Sequence, residues 1–200
     1  MDEGDVRYTQ AVLIDDSQTI HKGDFILQSG GEWRFSRGDE DVFETIDGKN
    51  RLITRSLQNW HTHLAMQLNA RDFSDGLHLD EWLQKSIFPT EKNLDPQMCS
   101  IGVKAAAAEM IRNGCSFAND MYHFPEAIGP ILEKAGLRGI VSGPITNWPP
   151  SDDAETGEAK RRLENLLNNQ EKDSKVTYGV ASHSVYTCSE ETLLSGKELA

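Results

Sequence analysis

The sequence predicts an α/β chain in two parts, a small β-sandwich-like domain over residues 1–56 and a βα series over residues 57–200. Three observations predict it. The first 56 residues hold short β-type runs cut by turn signals, with no helical period. From Leu57 onward, strand-like runs alternate with helix-like ones, which implies a parallel sheet with helices packed outside it. The hydrophobic content of 38% suits a chain with a buried core, and 200 residues suffice for one domain or two small ones.

In the first part, residues 8–14 form a run closed by Asp15-Asp16-Ser17, and residues 25–27 form a second ended by Gly30-Gly31. Residues 33–35 alternate and stop near Gly38. Residues 42–46 lead into Asp47-Gly48, a tight-turn dipeptide, and residues 51–54 resume as a strand, the pattern of a hairpin.

In the second part, a strand-like run over residues 57–64 is followed by a short helix over 77–83. A strong helix over 98–113 contains Ala105 to Ala108 and meets Gly114 at its C-terminal end. A strand over 115–121 precedes a helix over 125–135, with Pro125 at its start and Gly136 past its end. A strand over 137–145, a loop over 148–153, an amphipathic helix over 159–168 and a strand over 176–184 follow. Ser189 opens a final helix with Glu190 and Glu191 in its first turn. Two architectures fit four such βα units: a small open doubly wound sheet, or half of an eight-stranded barrel. No G-x-G-x-x-G or phosphate-binding loop follows any strand, which lowers the nucleotide-sheet reading.

Acidic residues outnumber basic ones 32 to 20, for a net charge of −12. That argues against nucleic acid, whose binders present a basic face, and against an anionic membrane surface. No apolar run approaches the ~18–20 residues that span a bilayer. The N-terminus, Met-Asp-Glu-Gly-Asp, is acidic where a signal peptide would be basic and then apolar, so a cytoplasmic protein is expected. Cys99, Cys115 and Cys188 include no close pair, and are most simply small buried residues.

The most informative segment is His61-Thr62-His63. On a strand, residues i and i+2 point the same way, so the two imidazoles project side by side. Paired neutral imidazoles are ligands for Zn²⁺ or Fe²⁺. The same spacing also suits two polar residues on an exposed strand edge. Asp120, at a strand end, suits either a carboxylate orienting a histidine or the cap of a turn. Trp82 reads as core, and His78 and His123 have no evident partner.

Several runs occur in order along the chain: His61-Thr62-His63-Leu64-Ala65-Met66, Leu79-Asp80-Glu81-Trp82-Leu83, Ile87-Phe88-Pro89-Thr90-Glu91, Ala118-Asn119-Asp120-Met121-Tyr122 and His183-Ser184-Val185-Tyr186-Thr187-Cys188-Ser189. Together they resemble the metal-dependent amidohydrolase superfamily, in particular its 5-methylthioadenosine/S-adenosylhomocysteine deaminases and their chlorohydrolase and guanine-deaminase relatives. The resemblance covers roughly residues 8–200. It implies that residues 57–200 are the first four βα units of a (β/α)8 barrel. It implies one divalent metal, zinc or iron, held in part by His61 and His63. It implies that Glu91 binds ribose hydroxyls, that His183 meets the purine ring, and that Arg162, with Arg161 beside it as an alternative, binds a carboxylate.

The chain departs from that pattern at Thr54-Arg55-Ser56-Leu57, at Asn69-Ala70-Arg71 and around Gly143. The barrel has eight strands and this chain supplies four, so the proton-transferring residues are expected beyond residue 200. The expected activity is hydrolytic deamination of a small nucleoside-type molecule, with no nucleic-acid or membrane partner and with homo-oligomerisation left open. The alternatives are dechlorination, hydrolysis of a cyclic amidine or amide, and an inactive truncated binding module.

Overall fold

The structure, a computed structural model, describes residues 4–69, 76–147 and 157–200. The chain divides into two compact units, Met1–Ser56 and Leu57–Ala200.

The first unit is one mixed sheet of β1 (Val6–Ile14), β2 (Ile20–Leu27), β3 (Trp33–Phe35), β4 (Glu44–Asp47) and β5 (Leu52–Ile53). Strands β1 and β2 are antiparallel, joined at a turn where Asp15 Oδ1 accepts the N–H groups of Ser17 and Thr19 at 2.9 Å each. The sandwich-like pair of sheets expected here is absent among the described residues. The hairpin expected around Asp47-Gly48 is also absent, because β4 and β5 both run parallel to β1, one after the other along it. The reason is local. The Gly48 N–H donates to Thr9 O at 2.7 Å and the Val12 N–H to Arg51 O at 3.1 Å, so the turn is stitched to β1 instead of folding β5 back on β4. A Cβ at Gly48 would stand 2.7 Å from Thr9 O.

Ala11, Leu13 and Phe25 form the small core of this unit, with Tyr8, Trp33 and Ile53 packed on it. Glu40 organises the polar side. It accepts from Arg34 at 2.6 Å, from Ser36 Oγ at 3.0 Å and from the N–H groups of Arg37 and Gly38. The Arg34 guanidinium foremost holds its carboxyl down at about 2.

The second unit is a parallel sheet of β6 (Leu57–Thr62), β7 (Cys115–Met121), β8 (Arg138–Ile145) and β9 (Val176–Ser182), in that order. A doubly wound sheet reverses its strand order at a switch point; this one does not. Right-handed crossovers in a sheet of sequential order put every helix on one face. Helices α4 (Pro96–Arg112), α5 (Pro125–Lys134) and α6 (Glu158–Asn168) accordingly pack in succession, and α7 (Glu190–Leu199) lies on β9. The short segments α1 (Met66–Asn69), α2 (Leu79–Trp82) and α3 (Phe88–Glu91) lie between β6 and α4.

The helix expected over 77–83 is longer than the sequence indicates, since α2 passes through a π-helical turn at Leu83–Ile87 into α3. Pro89 lacks the N–H that would close a turn on Lys85, and a widened turn before it absorbs the break. The extension carries Glu91 inward, where it is buried. Helix α4 starts at an Asp95 cap that accepts the Met98 N–H at 2.7 Å, with Pro96 at its first position. It buries Cys99, Gly102, Val103, Ala106, Ala107 and Met110, a stripe at helical spacing. The loop expected over 148–153 and the sequence departure at Ala70-Arg71 lie outside the described residues. Among the described residues no helix is long and apolar enough to cross a membrane.

Gly102 sets how closely α4 approaches the turn after His63, for a Cβ there would stand 2.1 Å from Ala65 O. Gly102→Ala is expected to cost about 1–3 kcal/mol by overpacking, measured as a lower urea midpoint; an unchanged midpoint contradicts this packing. Glu40→Ala is expected to lower the melting temperature at pH 7, with the difference from the parent shrinking as pH falls from about 4.5 toward about 2 and Glu40 loses its charge. Thermal unfolding across that range checks it.

Candidate active site

The candidate site lies at the C-terminal ends of β6, β7, β8 and β9, where the strands of α/β proteins present catalytic side chains. Thr62 ends β6 with its side chain buried, while His61 and His63 on either side of it leave the sheet together. Their ring centroids are 5.0 Å apart. Thr62 Oγ1 donates to Asp120 Oδ1 at 2.8 Å, and the Leu64 N–H donates to the same oxygen at 2.7 Å. His63 Nδ1 donates to Met121 O at 2.6 Å. A carbonyl only accepts, so Nδ1 carries a proton, and in the neutral ring Nε2 is the nitrogen with the lone pair.

Asp120 is fully buried, and its Oδ2 has no hydrogen-bond partner among the described residues. Burial pushes its carboxyl up to about 6, against the lowering effect of the Leu64 and Thr62 bonds. Of the two roles the sequence leaves open, Asp120 takes that of anchoring the turn that carries His63.

A cavity of about 160 Å³ opens beside His63. Glu91, His183, Tyr122 and His123 line it, with Trp82, Leu83, Ile87, Phe88 and Tyr186 among the apolar walls. Trp82, expected in the core, is half-buried on this wall. Glu91 Oε1 accepts from Tyr122 Oη at 2.9 Å, and its Oε2 lies 4.0 Å from His123 Nε2. Burial raises the Glu91 carboxyl above its usual range, and the Tyr122 bond only partly offsets this. His183 follows β9, with its N–H on Ile145 O at 3.2 Å and its Nδ1 2.8 Å from Thr187 Oγ1. Partial burial, with the nearby His63, lowers its pKa.

The structure thus brings His63, Glu91 and His183 to one cavity, with His61 beside His63. Arg162 stands elsewhere. It lies over the Phe124 ring at 5.5 Å and pairs with Glu126 at 3.5 Å and Glu158 at 3.9 Å, so it does not line this cavity. Sequence reasoning missed Tyr122 and His123. The available signal was their position just past the end of β7. Phe124 follows them in left-handed backbone, φ 59°, a strain of the kind that gathers at functional sites.

The residues present fit part of a divalent-metal site. Two imidazoles sharing an ion through nitrogens ~2.1 Å from it have rings about 5 Å apart, and the Met121 carbonyl fixes the tautomer of His63 as an outer partner does. Among the described residues no group of three His, Cys, Asp or Glu side chains converges as a complete ligand set.

The profile of the amidohydrolase family matches residues 52–200. The chain is 38% identical over 188 residues to a 5'-deoxyadenosine deaminase of Methanothrix thermoacetophila, covering 94% of this chain and 42% of that protein. It is 37% identical over 143 residues to a 5-methylthioadenosine/S-adenosylhomocysteine deaminase of Thermodesulfovibrio yellowstonii, covering 71% and 32%. Among solved structures, an adenosine deaminase from Xanthomonas campestris with bound zinc superimposes with a TM-score of 0.87 at 22% identity, covering 98% of this chain and 46% of that one. A guanine deaminase from C. acetobutylicum gives 0.79 at 18%, covering 98% and 50%. The chain spans less than half the length of the curated relatives it matches.

Because Asp120 stays protonated in the folded state to about 6 and ionises near 3.8 when unfolded, its contribution is full below about 4 and is lost as pH rises through 6. In chelator-treated protein, Asp120→Asn is expected to remove a fall in stability of ~3 kcal/mol between pH 4 and 7. Urea unfolding of parent and variant checks the difference, and equal pH slopes contradict it.

Proposed function

The chain belongs to the amidohydrolase family, and from that premise we propose that it forms the metal-binding and nucleoside-binding part of a hydrolase that deaminates an adenosine-type nucleoside and releases ammonia. The observation that carries the reading is one cavity lined by His63, Glu91 and His183 at the ends of three different elements. The names of the matched relatives support a nucleoside substrate. In this reading the four sequential strands are the first half of an eight-stranded barrel.

His61 and His63 would hold the divalent ion, zinc as in the matched structure or iron. When bound, such an ion supplies hydroxide near neutral pH by acidifying water from 15.7 toward ~7. Glu91 accepts hydrogen bonds from the two ribose hydroxyls, a task a carboxylate with two oxygens suits. Tyr122 already holds one of those oxygens, so the carboxylate meets the diol in a fixed orientation. His183 meets the purine ring from the C-terminal end of β9. The apolar wall of Trp82, Leu83, Ile87 and Phe88 excludes water around the nucleoside. The carboxylate at Glu91 favours a diol-bearing nucleoside over a chlorinated triazine, which offers it no hydroxyl.

Ammonia release from 5'-deoxyadenosine or methylthioadenosine by the zinc-loaded intact protein tests the proposal, and His61→Ala is expected to abolish it. Ammonia release surviving that substitution overturns the role of His61. Glu91→Gln is expected to raise KM for the ribonucleoside roughly 10–100-fold, as for loss of charge-assisted bonds, and to leave the melting temperature equal or higher, since a buried charge is removed. An unchanged KM contradicts the diol assignment.

A further inference from the structure

His123 stands on the wall of the cavity beside the Glu91 carboxylate and is 6% exposed. Strained backbone sets its place. Phe124, the next residue, is left-handed at φ 59°, a region that a bulky side chain enters only when its surroundings demand it. The His123 carbonyl accepts from Cys99 Sγ at 3.8 Å, which ties the turn to α4. The His123 ring lies 5.2 Å from the Tyr122 ring, centroid to centroid. Neighbouring residues therefore meet one carboxylate from two sides.

The two oxygens of Glu91 are met differently. Oε1 accepts the Tyr122 hydroxyl at 2.9 Å, a full hydrogen bond. Oε2 faces His123 Nε2 at 4.0 Å, too far for a direct hydrogen bond. Two hydrogen bonds of about 2.8 Å that meet at one oxygen span this 4.0 Å with roughly 90° between them. That angle is near the spread between a hydroxyl's proton and its lone pairs. One hydroxyl oxygen therefore fits between Oε2 and Nε2, bonded to both.

A hydroxyl suits the gap whichever way the protons lie. With Glu91 ionised and a proton on Nε2, the hydroxyl donates to the carboxylate and accepts from the ring. Burial raises the Glu91 carboxyl, so the reverse arrangement also matters. With Glu91 protonated and Nε2 bare, the hydroxyl accepts from the acid and donates to the ring. A hydroxyl both donates and accepts. An ether oxygen, which has no proton, and a C–H, which has no lone pair, satisfy neither arrangement.

We propose that His123 is a specificity-determining residue that shares one ribose hydroxyl with Glu91, so that the two ribose positions are read unequally. This rests on the nucleoside reading. A nucleoside lacking the shared hydroxyl takes a bond from each of two buried groups, and sites built to bond a hydroxyl reject analogues without it. A nucleoside lacking the other hydroxyl leaves the His123 bond in place.

The test measures KM and kcat of the intact, zinc-loaded protein for methylthioadenosine and for its 2'-deoxy and 3'-deoxy counterparts, in the parent and in His123→Phe. Phenylalanine keeps a planar ring and removes both nitrogens. For the full nucleoside, KM is expected to rise about tenfold with kcat little changed, as for one bond lost at a buried site. For one deoxy compound the substitution should leave KM nearly unchanged, because the hydroxyl that His123 meets is already gone. For the other the rise should persist. An equal rise for all three compounds, or no rise for any, overturns the proposal. Crystals of the parent with methylthioadenosine decide the same point without a variant: one ribose oxygen should lie within about 3.2 Å of both Glu91 Oε2 and His123 Nε2. A ribose bound with neither oxygen between them also overturns it. If the parent deaminates none of the three nucleosides, the functional reading fails and this proposal falls with it, whereas deamination with a uniform rise in KM defeats this proposal alone.

Discussion

The arrangement depends on one buried carboxylate. Asp120, at the end of β7, binds Thr62 and the backbone of Leu64 with a single oxygen, and the next carbonyl along, that of Met121, receives the proton of His63. Three bonds thus tie the end of β6 to β7, the strand beside it. Most of β6 is exposed, so packing alone holds it weakly. Burying a carboxyl in this way is unfavourable when it is charged, which is why its pKa rises to about 6. An apolar residue at this position would leave the Thr62 hydroxyl and the Leu64 N–H buried without their acceptor.

From that anchor the rest of the cavity follows along the sheet. Strand β7 continues into Tyr122 and His123, which face Glu91, and β8 and β9 bring Thr146 and His183 to the same end. The helices lie on the far side, and α4 approaches closely enough that only a glycine fits against Ala65. Rigid strands position the polar groups, and the short α2, π-helical and α3 segments close over them with apolar side chains. Glu91 reaches the cavity through the π-helical turn before Pro89, so a local backbone irregularity sets how deep this carboxylate sits.

Much of this was legible in the sequence, and the remainder was hidden for identifiable reasons. The alternation of strand and helix runs, the caps at Asp95 and Ser189, and the His-x-His pair follow local rules that neighbours in sequence decide. The path of β4 and β5 did not, because Asp47-Gly48 carries the chemistry of a tight turn and only the long-range bonds to Thr9 and Val12 divert it. Arg162 was marked by its place in a motif, and the Phe124 ring and two glutamates that surround it, away from the cavity lining, could not be read from local sequence. Tyr122 and His123 took no place in the site on sequence grounds because their meaning comes from Glu91, about thirty positions away in sequence. Pairings of that range are visible only once the strands are side by side.

The most direct measurement is a crystal structure of the intact protein with zinc and an adenosine-type nucleoside, with diffraction recorded at the zinc edge. The account predicts an anomalous peak bound by His61 and His63, with the ribose hydroxyls on Glu91 and the base against His183. A zinc peak away from the two histidines, or a nucleoside bound outside the cavity that Glu91 lines, would contradict it.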